Sequence, residues 1–136
     1  MYRYALIAAL VLAPTFGWAQ TPVNPTTVTA DVAQTNADGS NLDDLRLTRF
    51  CVGLASTPAA TPLTNCVTVN APSPDPPAGA TVSTPVAAFA LTTDGAYVVD
   101  AEHEDTAWNR STRTARVPFV WNRQAPAAPS GLRVLP

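Results

Sequence analysis

Apolar and polar residues alternate in short runs along most of the chain, with Pro, Asn and Asp-Gly between the runs. A period of two is the signature of a strand with one buried face. Thr27-Val-Thr-Ala-Asp-Val-Ala33 places Val28, Ala30 and Val32 on one side, and Asn36-Ala-Asp-Gly-Ser40 supplies turn chemistry behind it. A second run covers Leu45 to Val52, with Cys51 near its end and Gly53 after it. Asn65 to Asn70 is a third, Thr84 to Leu91 a fourth, and Ala96 to Glu102 a fifth, entered through Asp94-Gly95. Thr112 to Trp121 is the last, and Pro118 inside it suits an edge strand, because proline brings no N–H to a ladder. For the same reason the Pro-rich stretch 71–79 reads as an exposed loop. Helix signals are nearly absent beyond the first residues, so the pattern predicts an all-β, two-sheet sandwich.

The two ends depart from this pattern. Met1 to Ala19 contains Arg3, an apolar run from Ala5 to Ala13, a break at Pro14, and small residues at Gly17 and Ala19. That arrangement predicts a signal peptide over 1–19, cleaved after Ala19, and hence a secreted or periplasmic protein. The apolar run is about half of the roughly 20 residues a membrane helix needs, so no membrane association is expected after cleavage. No Cys follows the cleavage site, which argues against a lipid anchor. The sandwich is then expected over 20–123. Residues 124–136 form a Pro/Ala-rich tail, in which Leu132-Arg133-Val134 looks like the start of another strand.

Without Arg3 the chain carries seven Arg and no Lys against ten acids, a net charge of about −3. A weakly acidic domain offers no electrostatic footprint for nucleic acid, which is not an expected partner. Cys51 and Cys66 are the only cysteines, with one His and no second cysteine pair to accompany them. In an exported chain a structural disulfide is the natural reading, ahead of a metal pair or a catalytic thiol. Closing a loop of about 15 residues contributes roughly 3 kcal/mol in the chain-entropy model.

Three motifs follow one another in order: Asn36-Ala-Asp-Gly-Ser-Asn-Leu-Asp-Asp-Leu45, Leu91-Thr-Thr-Asp-Gly95-Ala-Tyr97, and Ala107-Trp-Asn-Arg-Ser111. They resemble the turn before strand C, the corner opening strand F, and the F–G turn of bacterial and phage fibronectin type III domains. The resemblance covers roughly Val23 to Trp121. It implies an immunoglobulin-like sandwich with strands C, F and G in one sheet. It also implies a tyrosine corner of Leu91, Gly95 and Tyr97, in which the Tyr97 hydroxyl bonds back to nearby backbone. The chain departs from the family where a strand-B Trp is usual, since Ala30, Asp31 and Val32 stand there, and where strand C usually has an inward Tyr, since Thr48 stands there. The core is therefore lighter than usual, and a disulfide would supply part of what is missing.

Alternation points Tyr97, Val99 and Ala101 inward and Val98, Asp100 and Glu102 outward; likewise Thr48, Phe50 and Val52 point in, Arg49 and Cys51 out. Arg46 or Arg49, with Arg113, would then pair across strands with Asp100 and Glu102. Such pairs read as solvated decoration, about 0–1 kcal/mol each. Asp100-Ala-Glu-His-Glu-Asp105 is the densest ionisable cluster and includes His103. Alternation separates Glu102 and Glu104 from His103 and Asp105, and no metal-ligand spacing accompanies them, so no metal or other cofactor is expected. Asp38, Asp43 and Asp44 suit weak calcium binding or turn capping equally. No Gly-x-Ser-x-Gly elbow or phosphate loop is present, and the chain is not read as an enzyme. Asn109-Arg-Ser111 is a glycosylation sequon, expected to be used in a eukaryotic secretory path and most often not in a bacterial or phage one. For Trp108 two readings stay open: a binding aromatic on an end loop, or a side chain folded onto the sandwich edge against Trp121.

These readings predict an exported, non-catalytic binding or adhesion module. Its display loops lie around Asp38 and Ser40, over Pro72–Gly79, and around Trp108, Asn109 and Arg110, facing a protein or carbohydrate surface. A second reading is a structural subunit of a filament or virion, self-associating by donating Leu132-Arg133-Val134 to a neighbour's open edge. A third is an accessory or inhibitor domain that acts on an enzyme.

Overall fold

The computed structural model describes residues 20–123, in which six strands follow one another: β1 (Thr27–Asp31), β2 (Leu45–Leu54), β3 (Asn65–Asn70), β4 (Thr81–Pro85), β5 (Gly95–Asp105) and β6 (Val117–Trp121). The predicted signal peptide and the tail with Leu132, Arg133 and Val134 lie outside the described residues. Strands β1 and β4 pair in a two-stranded antiparallel sheet, and β3-β2-β5-β6 form a four-stranded one. The core lies between them. Phe50 and Val52 from β2, Tyr97, Val99 and Ala101 from β5, and Phe119 from β6 meet Val82 from β4 with Val32, Val86 and Phe89. The all-β, two-sheet expectation holds, as does the facing of β2 and β5.

The start of β2 contains an irregularity that alternation alone does not show. Leu45 pairs with Asp105 and Leu47 with Glu104, so one residue of β2, Arg46, is extra. Leu45 and Phe50 both belong to the core, although five positions apart they would face opposite sides of a regular strand. The bulge at Arg46 resolves this by turning Leu45 inward while Leu47 faces out. It also aims Arg46 along the outer face.

Two strand expectations are corrected. The run from Thr84 to Leu91 does not continue as a strand: β4 ends at Pro85, and Val86–Phe89 form a turn of 3-10 helix. Val86 and Phe89 are both buried, at 1% and 2% exposure. Three positions apart, they would face opposite sides of a strand but share one side of a 3-10 turn. Asn65 Nδ2 bonds the Phe89 carbonyl at 2.8 Å and closes that turn. Nor is Thr112 to Arg116 regular strand. Its residues run beside β5 with side chains mixed into the ladder: Thr114 N–H bonds Ala101 O at 2.9 Å, while Thr114 Oγ1 accepts from Ala101 N–H at 3.0 Å.

The disulfide joins Cys51 and Cys66, which are direct partners across β2 and β3. Gly53 makes room next to it, since a Cβ there would approach Leu63 Cδ2 to 2.7 Å. The Tyr97 hydroxyl donates to Thr93 O at 2.8 Å, and its ring stacks on Phe119 with centroids 5.7 Å apart. Gly95 and Leu91 flank this corner, and Leu91 packs against the core. Before β1 the chain runs along β6, where Val23 bridges Val120 in parallel.

Candidate functional site

The larger sheet turns its second face away from the core, and there the side chains are charged. Asp100, Glu102 and Glu104 stand at period two along β5. Arginines flank this file on both sides: Arg46 and Arg49 from β2, and Arg110, Arg113 and Arg116 from the irregular run before β6. Arg46 Nη1 bonds Glu104 Oε1, Arg110 Nε bonds Glu104 Oε2 at 3.0 Å, and Arg49 Nη2 lies 3.6 Å from the same oxygen. Glu102 accepts from Arg49 at 3.3 Å and lies 3.4 Å from Arg113, which also bonds Asp100 at 3.2 Å. Arg116 holds the carbonyls of Thr57, Pro58 and Thr61, fastening the β2–β3 loop to the sheet.

The carboxylates lie under the guanidinium groups. Asp100 is 5% exposed, Glu102 8% and Glu104 2%. Solvated decoration is therefore the wrong description, because removing the cations would strand buried anions at a cost of several kcal/mol. Five of the six arginines in residues 20–123 stand on this face against three acids, leaving it at +2. The other described residues carry one Arg and seven acids, or −6, so the domain is strongly polarised. The buried acids orient the arginines, and Arg46, Arg49, Arg110 and Arg113 each keep N–H groups beyond the bonds they make to protein.

At the rim of this face the β5–β6 turn presents Trp108. Asp105 shapes the turn, accepting from Asn109 N–H and from Asn109 Nδ2, each at 2.8 Å. The bond from the Asn109 side chain holds the Asp105 carboxyl below its ordinary pKa. Trp108 sits at φ +70°, a left-handed conformation that bulky residues rarely adopt. Its ring centroid is 3.6 Å from the Arg46 guanidinium carbon, yet the residue is 67% exposed. It does not fold against Trp121; its far side is open to solvent. A conformation of this kind costs about 1–3 kcal/mol, and an exposed cation–π contact returns about 0.5–1. The cation–π contact does not offset that cost by itself; the bonds of the turn to Asp105, one of them from the Trp108 N–H at 3.1 Å, hold the residue in place.

His103 lies on the opposite, core-facing side of β5. Its Nε2 accepts from Ala33 N–H at 3.4 Å and its Nδ1 is 2.9 Å from Thr48 Oγ1. With Nε2 as acceptor the ring is neutral and Nδ1–H donates to Thr48. Burial pushes the His103 pKa down, partly opposed by the Asp31 backbone carbonyl. His103 therefore ties the end of β1 to the larger sheet. It also lines a groove of about 660 Å³ between the β1–β2 and β5–β6 turns, with Asp38, Asp44, Asn109 and Arg110. Asp38 is engaged within its own turn, accepting from Ser40 N–H at 2.9 Å and Ser40 Oγ at 2.6 Å, which lowers its pKa. Among the described residues no group of three or more His, Cys, Asp or Glu is placed to hold a metal ion.

Of the residues expected to form display loops, Asp38, Asn109 and Arg110 meet at this groove, Ser40 serves the turn, and Trp108 stands apart over Arg46. Arg116 and the central place of Glu104 escaped the sequence reading. The signal for them is the spacing of Arg110, Arg113 and Arg116 by threes, opposite acids spaced by twos. No protein-family model, curated protein or solved structure matches the chain.

Proposed function

We propose that the chain is an exported, non-catalytic binding module of the fibronectin type III kind, whose binding surface is the arginine face with Trp108 at its rim. The ligand is an anionic carbohydrate. The observation that carries this reading is Trp108, left 67% exposed in a left-handed conformation over Arg46. An indole with one open face suits the C–H face of a sugar ring. The guanidinium groups beside it suit carboxylate or sulfate substituents, which arginine binds in a bidentate manner. The Cys51–Cys66 disulfide fits an oxidising compartment. The Tyr97–Thr93 bond and the order β3-β2-β5-β6 support the fibronectin type III kind.

The test is retention of the chain from Gln20 on immobilised alginate and chondroitin sulfate, against neutral dextran. Retention on the anionic matrices alone, weakened about tenfold or more by Trp108→Ala, is the expected result. Equal retention on dextran, no retention on any matrix, or indifference to Trp108→Ala would remove the reading.

A further inference from the structure

Two strands do not cover four. Across β1 and β4 the hydrogen-bonded pairs are the even residues of β1 and its flanks: Val86 N–H donates to Thr26 O, Val32 N–H donates to Ala80 O, and the register between them is unbroken. In an antiparallel pair the intervening residues turn their N–H and C=O the other way. Thr27 and Thr29 therefore present these groups along an edge of β1 that pairs with no strand among the described residues. Among the described residues, residues 22–24 run along β6 at Val120 and no strand covers its first residue, Val117. Val117 lies in register with core-facing Val99, yet it is 56% exposed. Val28 and Ala30 on β1 are only half-buried. Trp121, on the same side of β6 as Val117, has a buried Nε1 with no hydrogen-bond partner.

An open edge above an uncovered valine is a place for a seventh strand. We propose that it accepts residues 131–135 from a second copy of this chain. Gly131-Leu-Arg-Val-Leu135 matches the five residues of β1 in length. Leu132 and Val134 would lie on one side, over Val117, with Arg133 on the other beside the exposed Asp31. The seven residues 124–130 between the sandwich and that segment include two prolines. A spacer of seven residues can span up to roughly 20 Å. That is longer than the about 10 Å between the sheets of one sandwich and long enough to meet a neighbour's edge. The contact is head-to-tail, so copies would add in series rather than close as a two-fold dimer.

The experiment is light scattering across concentration on the chain from Gln20, with hydrogen exchange at the Thr29 amide. Two variants accompany it: deletion of 124–136, and Val117→Asp, which changes a side chain already exposed and so spares folding. The expected result is a mass that rises with concentration and a protected Thr29 amide, both lost in each variant. Assembly that persists in either variant overturns the proposal. So does a monomer at all concentrations. A monomer whose Thr29 amide loses protection on deletion of the tail would mean that the tail fills its own edge, which also overturns it.

Discussion

Glu104→Ala tests whether the arginine–carboxylate file is part of the structure or a coating on it. The substitution removes the acceptor of Arg46 and Arg110 and the nearby charge that faces Arg49. A hydrogen bond to a charged group contributes about 1.5–3 kcal/mol when buried. Two such bonds would suggest about 3–6 kcal/mol, but that figure needs discounting. Arg46 and Arg110 are 36% and 49% exposed, so once freed they regain water, and solvent already screens their end of each pair. Removing Glu104 also relieves the cost of burying its charge. About 2 kcal/mol remains, a large share of the roughly 5–15 kcal/mol typical of a domain. Urea denaturation reads it as a midpoint lowered by about 1–2 M at unchanged m-value. Glu104→Gln keeps the shape and loses the charge, so it should fall between wild type and Glu104→Ala. A loss below about 0.5 kcal/mol for Glu104→Ala, the range of ordinary surface substitutions, would refute the reasoning and return these pairs to decoration.

Tyr97→Phe keeps the ring against Phe119 and loses only the bond to Thr93 O, so it should cost about 1 kcal/mol in the same denaturation assay. His103 makes a statement about pH. Its folded pKa is lowered from an ordinary value near 6.5, so the unfolded chain takes up the proton first. The stability it contributes is fully present above that value and is lost as pH falls through the folded pKa. Urea midpoints at pH 7.5, 6 and 5 should therefore decline in the wild type and flatten in His103→Gln. Equal slopes in the two proteins would exclude the histidine as the source. Asp38 and Asp105 also have lowered pKa values, and their contribution is lost only as pH falls below about 4, outside this window.

The parts of the fold legible in the sequence are those set by local alternation and by residues with one physical role. β3 occupies the span its pattern predicts, and Cys51 meets Cys66 directly across β2 and β3. Tyr97 closes its corner because Gly95 and Thr93 place a carbonyl within its reach. Alternation fails where the core demands something else. Val86 and Phe89 read as strand because they are apolar, and only the requirement that both be buried turns them into a helical turn. Leu45 reads as outward by counting back from Phe50, and only a bulge lets it join the core.

The charged face shows the same limit. Counting by twos along β5 identifies which acids point away from the core, but facing says nothing about cover. Their cover comes from Arg46, placed by a bulge, and from Arg110, Arg113 and Arg116, placed by a run that bonds β5 through serine and threonine side chains as much as through backbone. Neither device has a period to read. The charge balance misleads in the same way. A chain of net −2 suggests little affinity for anions, yet five arginines on one sheet face leave that face at +2 while the acids collect elsewhere. What a ligand meets is the local field, which depends on how strands are paired rather than on the sum over residues. Trp108 belongs to this same arrangement: its ring lies over Arg46, so the bulge in β2 supplies both the cation under the indole and one partner of Glu104.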